Sequence, residues 1–117
     1  MVSGDYQVDG GLNATDQLLS SRRKFTALFA ANDQMAYGAA LSLHRKGLKI
    51  PEDVSLIGFD DLYHSIYVAP PLSTIHQPAY ELGRLTASAI LQMLADTKPT
   101  AVMPAPKLIV RESTAKP

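Results

Sequence analysis

Ile50-Pro51-Glu52-Asp53-Val54-Ser55-Leu56-Ile57-Gly58-Phe59-Asp60-Asp61 is the stretch whose reading decides the fold. A polar turn containing Pro51 leads into the run Val54–Phe59, and two carboxylates stop it. A short apolar run bounded by turn signals reads as a strand buried on both faces, the pattern that parallel sheets impose. Upstream, Phe25-Thr26-Ala27-Leu28-Phe29-Ala30-Ala31 repeats the arrangement and is stopped by Asn32-Asp33. That pair reads as a helix N-cap. Behind it Met35, Ala36, Ala39, Ala40 and Leu43 line one helical stripe. Arg45 and Lys46 suit the last turn, and Gly47 suits a left-handed C-cap.

Further out, Val8, Leu12, Thr15 and Leu19 recur at helical spacing and predict a helix from Val8 to about Ser20. Gly10 and Gly11 weaken its first turn. Leu62–Pro71 has no period. Leu72–Ile75 reads as a third short strand. Pro78 suits the first turn of a long helix, with Leu82, Leu85, Ala89 and Met93 on one stripe, Ile90 and Leu94 beside them, and Lys98-Pro99 as its stop. Lys107–Arg111 reads as a last strand. Helices alternating with strands predict an α/β fold: a mostly parallel open sheet with helices on both faces and right-handed crossovers.

The chain has 117 residues, with 11 Lys plus Arg against 11 Asp plus Glu, so it lacks the basic footprint of a nucleic-acid-binding surface. It has no cysteine, which excludes disulfides, thiolate metal sites and cysteine nucleophiles. No apolar run is long enough to span a membrane, and Met1–Asp5 lacks the features of a secretory signal. The expectation is a soluble, cytoplasmic piece. The basic triplet Arg22-Arg23-Lys24 reads as a solvated helix end that suits the helix dipole, with phosphate contact as the alternative.

Open parallel sheets bind ligands beyond the C-terminal ends of their strands. The residues there are Asn32-Asp33 and Asp60-Asp61, joined by Tyr6 if Met1–Gly4 is the tail of a strand. An aromatic face, an amide and a carboxylate suit a small polyhydroxylated or heterocyclic ligand. Each also has a plain structural reading: helix capping for Asn32 or Asp33, loop hydrogen bonding for Asp60 and Asp61, a rim aromatic for Tyr6. No phosphate loop, nucleophile elbow or helical His pair is present. His44, His64 and His76 are far apart in sequence, and no metal or cofactor is expected. A magnesium-dependent phosphoacceptor or hydrolase site using Asp33 and Asp60 is a rival reading. It wants a Lys at the end of a later strand, and Lys107 stands at the start of its strand.

Four motifs carry a resemblance. They are Ala31-Asn32-Asp33-Gln34-Met35-Ala36-Tyr37-Gly38-Ala39, the Ile50–Asp61 stretch, Pro70-Pro71-Leu72-Ser73-Thr74-Ile75-His76-Gln77-Pro78, and Leu108-Ile109-Val110-Arg111-Glu112-Ser113-Thr114. In this order they resemble the C-terminal part of the lactose/galactose repressor family, from Gly4 to Thr114.

The resemblance implies a Rossmann-like C-terminal lobe, incomplete here, of an effector-binding domain similar to type I periplasmic sugar-binding proteins. It implies that residues 1–117 are the C-terminal portion of an effector-binding and dimerisation domain, without the DNA-binding headpiece, hinge and N-terminal lobe of the family. Such proteins are dimeric, non-enzymatic regulators whose operator affinity is set by a small effector held between lobes, here of the sugar or nucleoside class. Operator DNA is reached only through the headpiece. By the same resemblance Tyr6 stacks on effector, Asn32 and Asp60 bond it, and Gln77 lies at the cleft edge where the chain crosses between lobes. Ile66, Tyr67 and Val68, within the stretch His64–Ala69, match the subunit contact. A sugar-binding protein of a transport system is the alternative on the same fold.

Overall fold

The computed structural model describes residues 1–21 and 23–116. Arg22, the first member of the basic triplet, lies outside the described residues. The chain divides into two units, residues 1–76 with 108–117, and residues 77–107.

In the first unit, helix α1 (Val8–Ser20) is followed by strand β1 (Ala27–Phe29), helix α2 (Asp33–Arg45) and strand β2 (Ser55–Ile57). A short 3-10 helix (Tyr63–Ile66) leads to strand β3 (Thr74–His76), and strand β4 (Lys107–Ile109), which belongs to this unit from Leu108 on, comes last. β1 and β2 are parallel, with Leu28 opposite Leu56. β3 pairs with β4. Single parallel bridges, Ile57 to Ser73 and Asp60 to His76, carry pairing from the end of β2 onto β3. The result is an open sheet with parallel pairing, as the alternation of elements predicts.

The core is small: Ala30, Ala36, Ala39, Leu56 and Leu72, with Leu28, Met35, Tyr37, Ile50 and Val68 packed partly against it. The apolar stripe of α2 is therefore buried as its spacing predicts. The helix also ends as expected. Gly47 has φ +74°, its amide donates to His44 O, and Leu48 N donates to Leu43 O. That pair of bonds is the Schellman arrangement.

Several expectations need correction. The strand expected over Phe25–Ala31 is confined to Ala27–Phe29, and it is not buried on both faces. Ala27 and Phe29 share one face by the two-residue period of strands and are exposed, Phe29 by 58%, while Leu28 turns to the core. Met1–Gly4 form no strand. In α1 the buried positions are Gly11, Ala14 and Thr15, not a stripe beginning at Val8. α1 packs along α2. A Cβ on Gly11 would overlap the backbone of Met35, and one on Gly38 would overlap the backbone of Val8 and Leu12. The glycines that lower helix propensity are what let the two backbones approach.

The segment 111–115 completes this unit. Buried Ser113 accepts Ser73 N on its hydroxyl at 2.7 Å and donates that hydroxyl to Leu56 O at 2.6 Å. Its own carbonyl accepts Leu56 N at 2.7 Å. One residue thereby ties β2 to the start of β3.

The second unit holds helix α3 (Ala79–Leu94), capped by Pro78. It stops before Lys98-Pro99, and none of its residues is fully buried. Leu82, Leu85 and Ala89 are half-buried and Met93 is exposed.

Candidate functional site

The site is built where β2 runs out. Beyond Ile57 the chain continues through Gly58 and Phe59 to two consecutive non-glycine residues with positive φ, Asp60 at 110° and Asp61 at 57°. Such angles cost energy and persist only where surrounding contacts impose them. Here Asp60 N donates to Ile75 O at 2.9 Å, and Asp33 N donates to Phe59 O at 2.8 Å. The start of α2 and the end of β2 are thus joined directly.

Asn32 occupies the N-cap of α2. Its Oδ1 accepts Met35 N at 2.9 Å, and its Nδ2 donates to Tyr6 O at 2.9 Å. Capping is therefore part of its role, and the same amide holds the loop that carries Tyr6. Tyr6 has φ 66° and is 63% exposed. These bonds tie the Tyr6 loop to Asn32, and the residue after Asn32 to the residue before Asp60. Asn32 and Asp60 are half-buried. Among the described residues the Asp60 carboxylate forms no hydrogen bond or ion pair. Asn32 keeps one amide hydrogen and one acceptor lone pair beyond the bonds it makes. An open carboxylate, a half-used amide and an exposed ring can together meet hydroxyls and a flat ring face.

Gln77 opens the second unit, where its carbonyl accepts Ala79 N at 2.7 Å. Of the three proposed interface residues, Ile66 and Tyr67 are exposed, Tyr67 by 65%, and Val68 packs partly against the core. The Tyr67 ring leans on Tyr63 with centroids 5.1 Å apart.

Two clusters escaped the sequence reading. Asp33 is completely buried. Its Oδ1 accepts Thr74 Oγ1 at 2.5 Å; its Oδ2 accepts Leu62 N at 2.8 Å and Ser65 Oγ at 2.6 Å. Because Ser65 spends its proton on Asp33, the Tyr37 hydroxyl donates to Ser65, at 2.8 Å. Burial, with the nearby Asp33 charge, pushes the Tyr37 phenol above its ordinary pKa. A carboxylate enclosed and saturated in this way cannot serve a magnesium site, so the phosphoacceptor reading loses one of its two acids.

The second cluster centres on Asp61. Its Oδ1 accepts Arg111 Nη2 at 2.6 Å and its Oδ2 lies 3.0 Å from His76 Nδ1. Arg111 Nη1 also donates to Leu72 O at 2.7 Å. Burial opposes ionisation of Asp61, but hydrogen bonds from Arg111 and His76 outweigh it and hold the carboxyl below the ordinary carboxylate range. No short spacing announces this cluster: Arg111 is 50 residues from Asp61. The visible signal was only that two acids stand side by side after a strand.

Residues 2–114 match the family described as the periplasmic binding protein-like domain. The chain belongs to this family. This periplasmic binding protein-like domain is 37% identical over 118 residues to the HTH-type transcriptional repressor PurR of Haemophilus influenzae, an alignment covering 97% of this chain and 35% of the relative. It thus spans about a third of that relative's length. Its fold matches a sugar-binding transcriptional regulator of the LacI family from Escherichia coli, solved with phosphate. The TM-score is 0.87 and the identity 37%, over 97% of this chain and 41% of the other. It matches equally a lac repressor dimer bound to operator and the anti-inducer ONPF, with TM-score 0.88 and identity 34%, over 97% of this chain and 40% of that one. The resemblance to lactose/galactose repressors carried by the four motifs therefore holds for both sequence and fold. No helix among the described residues is long and apolar enough to cross a membrane.

Proposed function

We propose that this chain is effector-binding machinery of a bacterial transcriptional regulator, a non-catalytic module working in the cytoplasm. A small ligand of the sugar or nucleoside class meets Tyr6, Asn32 and Asp60. The observation that carries this reading is the Asp60 carboxylate. It is held in a costly backbone conformation at the sheet edge, yet among the described residues it forms no hydrogen bond or ion pair. Ligand hydroxyls are its natural partners. Ile66 and Tyr67, with Val68 behind them, form the contact with a second copy. Operator DNA is reached through a headpiece and not through this neutral surface. Support comes from the relatives: a repressor by sequence, and by structure a sugar-binding regulator and an operator-bound dimer.

The test is calorimetric titration of the full chain with cellobiose, D-galactose and adenosine. At least one is expected to bind. Asp60→Ala is expected to weaken it by about tenfold or more, the cost of losing hydrogen bonds to a charged group. Equal affinity in wild type and variant would overturn the assignment. In a full-length regulator carrying this chain, the same substitution is expected to abolish the ligand response in a fluorescence-anisotropy operator assay while leaving operator binding intact.

A further inference from the structure

We infer that Arg111 and His76 are positioning residues for Asp60, acting through Asp61; this deepens the reading of Asp60 as a ligand contact and rests on it. The adjacent acids have opposite fates. Among the described residues Asp60 spends its carboxylate on no protein group, whereas Asp61 is bonded on both oxygens, to Arg111 Nη2 at 2.6 Å and His76 Nδ1 at 3.0 Å. Both residues have positive φ, so the turn does not hold itself, and something must keep it from relaxing.

Three contacts do so, two from consecutive residues of β3 and one from the segment after β4. The Asp60 amide is fixed to Ile75 O at 2.9 Å. His76, next along β3, stands opposite Asp60 in the parallel pairing and bonds Asp61 through its ring. Arg111 arrives from the segment after β4 and grips Leu72 O with one guanidinium nitrogen and Asp61 with the other. A guanidinium fork reaching two acceptors fixes direction as well as distance, which a lysine ammonium does not reproduce. Arg111 and His76 bond nothing on Asp60 itself. Their effect on a ligand passes through the backbone that aims the Asp60 carboxylate.

The experiment uses the full chain as wild type, Arg111→Lys and His76→Gln. It reads amide hydrogen exchange residue by residue by NMR, then titrates cellobiose, D-galactose and adenosine. The Asp60 amide is expected to exchange at least about tenfold faster in Arg111→Lys, with a smaller acceleration in His76→Gln, while the amides of Ala39 and Leu43 in α2 keep their protection. The affinity of whichever probe binds wild type is expected to fall in the same order. Asp60 exchange within about twofold of wild type in a folded variant would overturn the inference. So would accelerated exchange with unchanged affinity for a bound probe. If Arg111→Lys does not fold, His76→Gln decides, because His76 is the more exposed partner. If no probe binds wild type, the ligand reading of Asp60 fails, while the exchange result still decides whether Arg111 and His76 hold the turn.

Discussion

Gly58 shows how a single atom decides. A Cβ there would overlap Asp33 Oδ1 and press on Leu72 Cδ2 at 3.1 Å. Gly58→Ala is therefore expected to destabilise by about 1–3 kcal/mol, the usual cost of overpacking. Chemical denaturation measures it, and a change below about 0.5 kcal/mol would contradict the close approach. The sequence showed Gly58 only as part of a strand, because the group it makes room for stands 25 positions earlier in the numbering. The same reason hid the role of Asp33. A carboxylate after a strand looks alike whether it faces solvent or receives three internal donors, and its donors lie 29 to 41 residues away. Asn32 and Asp60 stood out because each follows an apolar run that ends in a strand, whereas Tyr6 was named through a strand over Met1–Gly4 that does not form.

Among elements, the helix pair and the seam between β2 and β3 set the frame. Asn32→Ala removes the α2 cap and frees the Tyr6 loop together. The cap alone is worth about 1 kcal/mol, so Tm is expected to fall by several degrees, and faster exchange of the Met35 amide would report the lost bond. Ser113→Ala leaves Ser73 N and Leu56 O without their buried partner and is expected to cost about 2 kcal/mol; Ser113→Thr tests whether the hydroxyl alone suffices. Both helices of the first unit were legible, since α1 begins and ends where its spacing predicts. The buried face of α1 was not. The helical spacing pointed to Val8, Leu12, Thr15 and Leu19, of which only Thr15 is fully buried, whereas close helix contact selects small residues such as Gly11 and Ala14. Strand lengths were overestimated for a related reason: hydrophobic runs mark where a strand can form, and pairing decides how much of it does.

For the whole molecule, Asp61 links stability to acidity. Its folded pKa lies below its unfolded one, so its contribution is complete above the unfolded value of about 4 and is lost as pH falls through the lower folded value. Wild type is expected to lose Tm steeply below about pH 4, and Asp61→Asn to start from a lower Tm and fall less; parallel curves would refute the linkage. Exposed Phe29, Leu108 and Val110 leave apolar surface at the strands. The chain is accordingly expected to self-associate at high concentration, and sedimentation showing only monomer would count against that. The Ser113 seam has a temporal consequence as well. Its hydroxyl donates to a carbonyl 57 residues earlier. A ribosome that has completed β1, β2 and both of the first helices has made a sheet still missing its fastener. Until that late serine emerges, Leu56 O and Ser73 N lack the hydroxyl that joins them.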